Sequence, residues 1–367
     1  MSKNSKQFIE KMNLYRENNN IIKNKFVNID KKKTASQIDT CANTFYLKTY
    51  VNYENEKYNL DDKKKKFKPF FICKNKFCSN CAYLKSRKLF CETYQVLQNI
   101  VENKKIDFIA YHLTLTVKNP TIDNYTHYQD VMNKAYKLLV KSTNKYKFKN
   151  YILGYQASRE TTQSPEAKKR NELHPHIHIL LLLKPEFYNE KRREYKLSQR
   201  EILQEWNYCL KHYDKSFPEA TQIAFKKIQS KTEAEALIYG SSVDLQNSAI
   251  AEVSKYPVKI SDLTNMSDNH FEVLNNALYG ARLITYGGII KQVRAELKIN
   301  DNKIDDMFLN EKQYKLIAIE LYNLINNKYE RRKFDEVDKV VYNELHKKED
   351  EKYSEFLEGR AYLDQNI

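Results

Sequence analysis

The chain has 367 residues, enough for one large domain or two moderate ones, and a net charge of +16 with a pI near 9.2 favours a polyanionic partner, nucleic acid first. Six cysteines in a chain this long do not make a disulfide scaffold. The N-terminal stretch has no apolar signal core and no run reaches the length of a membrane span, so secreted and membrane-embedded classes are set aside and a cytoplasmic protein without a membrane partner is expected.

Residues 1–35 are rich in Lys and Asn and end in Lys31-Lys32-Lys33, which reads as a flexible basic arm with a short helix around 8–15. Residues 44–51 alternate like a strand, and Lys63-Lys64-Lys65-Lys66 reads as a solvated turn. Then Cys73, Cys78 and Cys81 stand in a C-x4-C-x2-C spacing, followed by a basic helical stretch with Lys85, Arg87 and Lys88. Three thiolates so spaced can reach one ion, and the C-x-x-C half is the usual knuckle of a structural zinc site. The fourth ligand is assigned to Cys41 ahead of Cys91. The plainer alternative is a set of reduced cysteines in a core.

Residues 106–118 alternate as a strand, 124–142 carry a helical apolar face, and 151–162 form a second strand. A polar loop, 163–172, leads to a third strand at 174–183, and the short connection predicts an antiparallel hairpin. Ser198 and Glu201 form a capping-box pattern that opens a helix running to about 212. Another strand is read at 221–228, and a helix at 246–256 that Pro257 stops. Residues 268–367 read as mostly helical. The fold class is therefore α+β, an antiparallel sheet with flanking helices.

Chemistry concentrates in His174-Pro175-His176-Ile177-His178. Residues two apart on a strand share a face, so His176 and His178 present two imidazoles to one side. Glu160, on the preceding strand, can sit beside either across the hairpin. One carboxylate and two imidazoles make a mixed oxygen and nitrogen site that keeps coordination positions open and suits Mn²⁺ or Mg²⁺. The bland alternative makes Glu160 an ordinary surface acid. His174 shares the face, but Pro175 interrupts the ladder there and assigns it to the edge of the site. Further on, Glu252 and Tyr256 lie four apart and share a helical face, and Tyr256 and Lys259 form a Y-x-x-K pattern. A tyrosine with a pKa of about 10 needs help to act as a nucleophile, and Lys259 or Lys255 could supply it. Among 28 tyrosines this match alone is weak; its position after the histidine strand gives it weight.

Taken together these segments resemble the replication initiators of bacterial rolling-circle plasmids, within the endonuclease superfamily named for a His-hydrophobic-His metal motif. His112 to Asn119 resembles the first motif, His174 to His178 the second, and Glu252 with Tyr256 the third of the subgroup that pairs one tyrosine with a glutamate. The cysteines ending at Cys81 resemble that subgroup's knuckle, and Arg282 to Gly288 resembles a segment following the tyrosine motif. Lys76 and Ser79 depart from the Arg and Pro common in the knuckle.

The reading along the chain divides it into a basic arm (1–40), a cysteine-rich zinc and DNA-binding module (41–100), an endonuclease core (101–265) and a mainly helical C-terminal region (266–367), and the resemblance covers about residues 40–300. The resemblance implies that Tyr256 attacks the scissile phosphate of plasmid origin DNA, nicked or as a single-stranded hairpin, and leaves a 5′-phosphotyrosine and a 3′-hydroxyl primer. Glu252 would assist termination, and Lys259 would hold the phosphate or phenolate. Metal ligands would be His176, His178 and Glu160, with zinc on Cys41, Cys73, Cys78 and Cys81. A host helicase and a replicative polymerase follow as partners, and a homodimer is compatible with the apolar helix faces. The rivals are a single-tyrosine transposase, a relaxase, and a non-catalytic zinc-containing DNA-binding regulator. Relaxases place the tyrosine before the histidine motif, and a regulator leaves the histidines unexplained.

Overall fold

Buried residues recur at helical spacing through the N-terminal stretch: Ile9, Met12, Arg16, Asn19, Ile22 and Phe26 lie on one side of α1 (Lys3–Asn28). The stretch read as a flexible arm is thus a packed helix. Its buried stripe contains Arg16 and Asn19, which hides it from a search for apolar residues alone. Both polar groups are paired. Arg16 donates to the Asp39 carboxylate at 2.8 Å, and Asn19 Oδ1 accepts from the Ser79 N–H at 2.8 Å.

The computed structural model describes residues 3–54, 57–141, 147–189, 194–228, 253–254, 260–300 and 313–333, together with residues 307, 343, 344, 347 and 351. After α1 come α2 (Lys32–Thr40), β1 (Thr44–Glu54), β2 (Lys57–Pro69), α3 (Ser79–Glu102), β3 (Ile109–Thr116), α4 (Tyr125–Leu139) and β4 (Ile152–Thr162). The short α5 (Pro165–Lys169) precedes β5 (His174–Leu183), β6 (Tyr188–Asn189), β7 (Glu194–Tyr195), α6 (Gln199–Tyr213) and β8 (Ile223–Lys227). Then follow α7 (Ile260–Asn265), α8 (Asp268–Leu278), β9 (Ile284–Gly287), α9 (Gly288–Glu296), β10 (Tyr314–Ile325) and β11 (Lys328–Arg332). The α+β class with antiparallel sheets is as read from sequence. Among the described residues no helix is long and apolar enough to cross a membrane.

The chain divides into two units, one of residues 1–91 with 303–367 and one of residues 92–302. The first holds a four-stranded sheet in the order β11-β10-β1-β2. Here Lys63 to Lys66 are part of β2, paired with Val51 to Lys48 of β1, and do not form a turn. The run tolerates a strand because β2 is the sheet's outer edge among the described residues, with Lys63 exposed and Lys65 donating to Thr49 Oγ1 at 2.7 Å and paired with Glu320. A second correction concerns the C-terminal region. Helices α8 and α9 meet the helical expectation, but β10 and β11 form a hairpin. Its turn is Asn326-Asn327, both at positive φ (49° and 61°), the conformation a two-residue hairpin turn requires.

The second unit is built on a five-stranded antiparallel sheet ordered β8-β3-β5-β4-β9. One face is apolar. Tyr111, Leu113 and Leu115 of β3, Ile177, Ile179, Leu181 and Leu183 of β5, and Ala157 of β4 pack with Met132 and Ala135 of α4 and Trp206 of α6. Each such side chain buried contributes about 2 kcal/mol. Helix α6 begins on Ser198 with both halves of the expected capping box. The alternate residues of the same strands make the opposite face: His112 and Thr114, then His174, His176 and His178, then Gln156, Ser158 and Glu160.

Candidate metal centre and active-site face

The β4–β5 hairpin fixes the site. Glu160 stands directly opposite His176, and Ser158 opposite His178, so the alternation that buries Ile177 and Ile179 aims both imidazoles and the carboxylate to one side. Glu160 Oε2 lies 2.8 Å from His176 Nε2 and 3.0 Å from His178 Nε2. Their side chains are 10–14% exposed, sheltered yet reachable by solvent. Glu160 thus meets both histidines between which the sequence left a choice. Burial works to raise its carboxyl, but hydrogen bonds and charge from the two imidazoles outweigh that and hold it well below the usual carboxylate range.

The outer nitrogens are also engaged. His176 Nδ1 is 3.2 Å from the His174 carbonyl oxygen, which can only accept. Ligand atoms of Glu160, His176 and His178 all lie within 4.8 Å of one another. The donor set therefore fits a divalent metal with oxygen and nitrogen preference. His174 contributes nothing to this triad. Its Nδ1 is 2.6 Å from Asn119 Oδ1, and burial, helped by nearby His176, pushes its pKa down. Pro175 remains paired with Thr161 inside the ladder, so the strand runs unbroken through His174.

The other end of this face is closed. Leu180 and Leu182 are fully buried, Gly154 faces Ile289 and Ile290 of α9, and Thr93 of α3 donates to Gln156 Oε1 at 2.8 Å. Gln156 Nε2 in turn donates to the Val253 carbonyl at 3.4 Å. Glu252, Lys255, Tyr256 and Lys259 lie outside the described residues. The neighbouring Val253 and Ser254 are helical and buried, and Val253 is tied to the same sheet face as Glu160.

In the first unit Cys41, Cys73, Cys78 and Cys81 gather as a second potential ligand set. Cys41 and Cys78 sulfurs are 3.5 Å apart, and Cys81 is 3.7 Å from both Cys41 and Cys73. Cys91 is buried elsewhere on α3, so the choice of Cys41 is the one the geometry meets. Burial opposes ionisation of Cys78, yet hydrogen bonding with the neighbouring thiols takes its pKa well below the ordinary value, while hydrogen bonding among the thiols pushes Cys41 and Cys81 up. A tetrahedral cation would resolve this crowding. Asn19 Nδ2 reaches Cys78 Sγ at 3.5 Å, a partner sequence reasoning did not name. Gln156 was missed as a site residue, although polar residues recurring every second position in a strand were the available signal, while His112 and Thr114 entered only through the resemblance to the first motif.

A family model described as "Replication protein" matches residues 64–334. The chain belongs to this family. Among curated relatives of the replication protein, "Protein rep" of Streptococcus pneumoniae serotype 2 (strain D39 / NCTC 7466) is 26% identical over 271 residues, 74% of each chain. "Protein rep" of Staphylococcus aureus is 30% identical over 190 residues, 52% of this chain and 70% of the relative. That of Lactiplantibacillus plantarum is 28% identical over 245 residues, 65% and 70%. No solved structure matches the chain significantly. The likeness to plasmid replication initiators read from the motifs is borne out.

Proposed function

We propose that this replication protein starts rolling-circle replication of a plasmid by nicking and rejoining its origin DNA through a tyrosine. The convergence of Glu160, His176 and His178 on one face of the β4–β5 hairpin carries this reading. Mn²⁺ or Mg²⁺ held by these three would draw electron density from the non-bridging oxygens of the scissile phosphate. The Tyr256 phenolate oxygen attacks phosphorus, the bond to the 3′ oxygen breaks, and that oxygen takes up a proton to become a 3′-hydroxyl primer. The 5′ phosphate stays on Tyr256, so the bond can be resealed without a nucleotide cofactor. Glu252 serves as general base at termination, and Lys259, or Lys255, offsets charge on the phenolate or phosphate. Zinc on Cys41, Cys73, Cys78 and Cys81 orders a basic module that contacts the DNA backbone. A host helicase and polymerase extend the primer, and a homodimer is one assembly the helix faces allow.

The test is incubation with single-stranded origin oligonucleotides and Mn²⁺, comparing wild type with Tyr256→Phe. A covalent protein–DNA adduct that requires both the metal and Tyr256 is expected. An adduct formed equally by Tyr256→Phe would remove Tyr256 from its role, and intact supercoiled plasmid carrying the gene's flanking DNA would remove the nuclease reading.

A further inference from the structure

We propose that His112 is a positioning residue that sets the ring orientation and tautomer of His178, and through it the affinity of the site for its divalent cation. The inference rests on the metal-site reading above and deepens it.

Among the described residues, His178 is the histidine of the triad whose outer nitrogen meets side chains and no backbone carbonyl. His176 is fixed by a backbone carbonyl. Nδ1 of His178 lies 3.2 Å from His112 Nε2 and 3.3 Å from Thr114 Oγ1. The rings of His112 and His178 are stacked, with centroids 5.2 Å apart and planes 14° from parallel. The β3–β5 ladder produces this. Thr114 stands opposite His178 and His112 opposite Leu180, so His112 leans over His178 from one pair further along the same face.

The direction of the hydrogen bond follows from what His178 has to do. To offer a lone pair from Nε2 toward the cation, the neutral ring carries its proton on Nδ1, and that N–H needs an acceptor. His112 Nε2 supplies one. The reverse arrangement, with His112 donating, would place the His178 proton on Nε2, where it blocks ligation. Thr114 can accept the same proton but cannot hold the ring plane, whereas the stacked His112 restrains both. Outer partners of metal-bound histidines affect affinity by roughly 10–100-fold.

The experiment uses the full chain and Mn²⁺ alone, with affinity from calorimetry and the bound ion followed by electron paramagnetic resonance. His112→Leu is expected to weaken Mn²⁺ binding about tenfold. His112→Gln, which can return an acceptor near the Nε2 position, is expected to stay within about threefold of wild type by the same measure. His176→Ala, expected to abolish binding, reports on the site itself. If His112→Leu binds Mn²⁺ like wild type while His176→Ala does not, His112 has no positioning role and the metal site stands. Equal loss in His112→Leu and His112→Gln would make His112 a packing residue and overturn the proposal. Wild-type binding by His176→Ala would overturn the metal site and this inference with it. Should His112→Leu fail to fold, His112→Phe, which keeps the stacked ring without an acceptor, takes its place in the same comparison.

Discussion

Gln156 joins Thr93 to Val253, accepting a hydrogen bond from the threonine hydroxyl and donating one to the valine carbonyl. Gln156 is fully buried and lies on the β4 face that carries Glu160 four residues later. A single amide thus links the chain beside Glu252 to the strand that supplies a proposed metal ligand.

Gln156→Leu is therefore expected to lower kcat for origin nicking about fivefold while leaving Mn²⁺ affinity near wild type, since losing a buried hydrogen bond amounts to about 1 kcal/mol. Single-turnover cleavage alongside calorimetry measures both. Weakened Mn²⁺ binding with unchanged kcat would show that Gln156 supports the metal triad and not the segment around Val253.

Cys78 shares hydrogen bonds with Cys41 and with Asn19 Nδ2. Cys78→Ser is expected to lose bound zinc and to melt several degrees lower, because binding energy at a structural site is folding energy. Asn19→Ala should keep zinc but bind it about tenfold more weakly. Metal analysis after dialysis against a graded chelator separates the two, and full zinc retention by Cys78→Ser would discount the cluster as a metal site.

Glu205 of α6 is almost fully buried, and among the described residues no side chain hydrogen-bonds its carboxylate. Burial pushes its pKa up to about 7, only partly offset by the Phe148 backbone. A carboxyl raised on folding favours the fold while it is protonated. That contribution is complete below the unfolded value near 4.5 and is lost as pH rises through about 7. Glu205→Gln should accordingly stabilise the protein at pH 8 by on the order of 2 kcal/mol and change little at pH 4. Denaturant melts at the two pH values test it, and an equal effect at both would mean the charge is not the cause.

Gly288 has a positive φ of 57°, and a β-carbon there would sit 2.1 Å from the Leu153 carbonyl oxygen. Gly288→Ala is expected to destabilise the protein by about 2–4 kcal/mol, from backbone strain plus displacement of β4. Thermal unfolding would show this. A melting temperature within one degree of wild type, by the usual scaling about 0.3 kcal/mol, would mean the β9–α9 corner yields easily.

The ligand strand was legible because His174 to Leu183 alternates polar and apolar residues before turning wholly apolar, a pattern only a strand with one functional face satisfies. Ligand count called for a fourth cysteine before any geometry was known, with Cys41 preferred and Cys91 second. Other features were hidden for physical reasons. The α1 stripe mixes Arg16 and Asn19 with apolar residues, so it carries a weak hydrophobic signal although every member is buried. The lysine run of β2 mimics a solvated turn because an edge strand has water on one side. His112 and Gln156 are chosen by partners on other strands and helices, a relation that spacing along the chain does not encode.

The strands of the four-stranded sheet come from distant parts of the chain: β1 pairs with β10, about 280 residues later in the register Thr44–Asn323. Translation delivers every strand of the histidine-bearing sheet before β10 exists. The nascent protein therefore holds a completed candidate catalytic unit while one side of β1 waits for its neighbour. An open strand is a template for wrong pairing, so the synthesis interval between Glu54 and Tyr314 is when this protein is most exposed to self-association. A stalled or shortened product would carry the chemistry without the sheet that β10 completes.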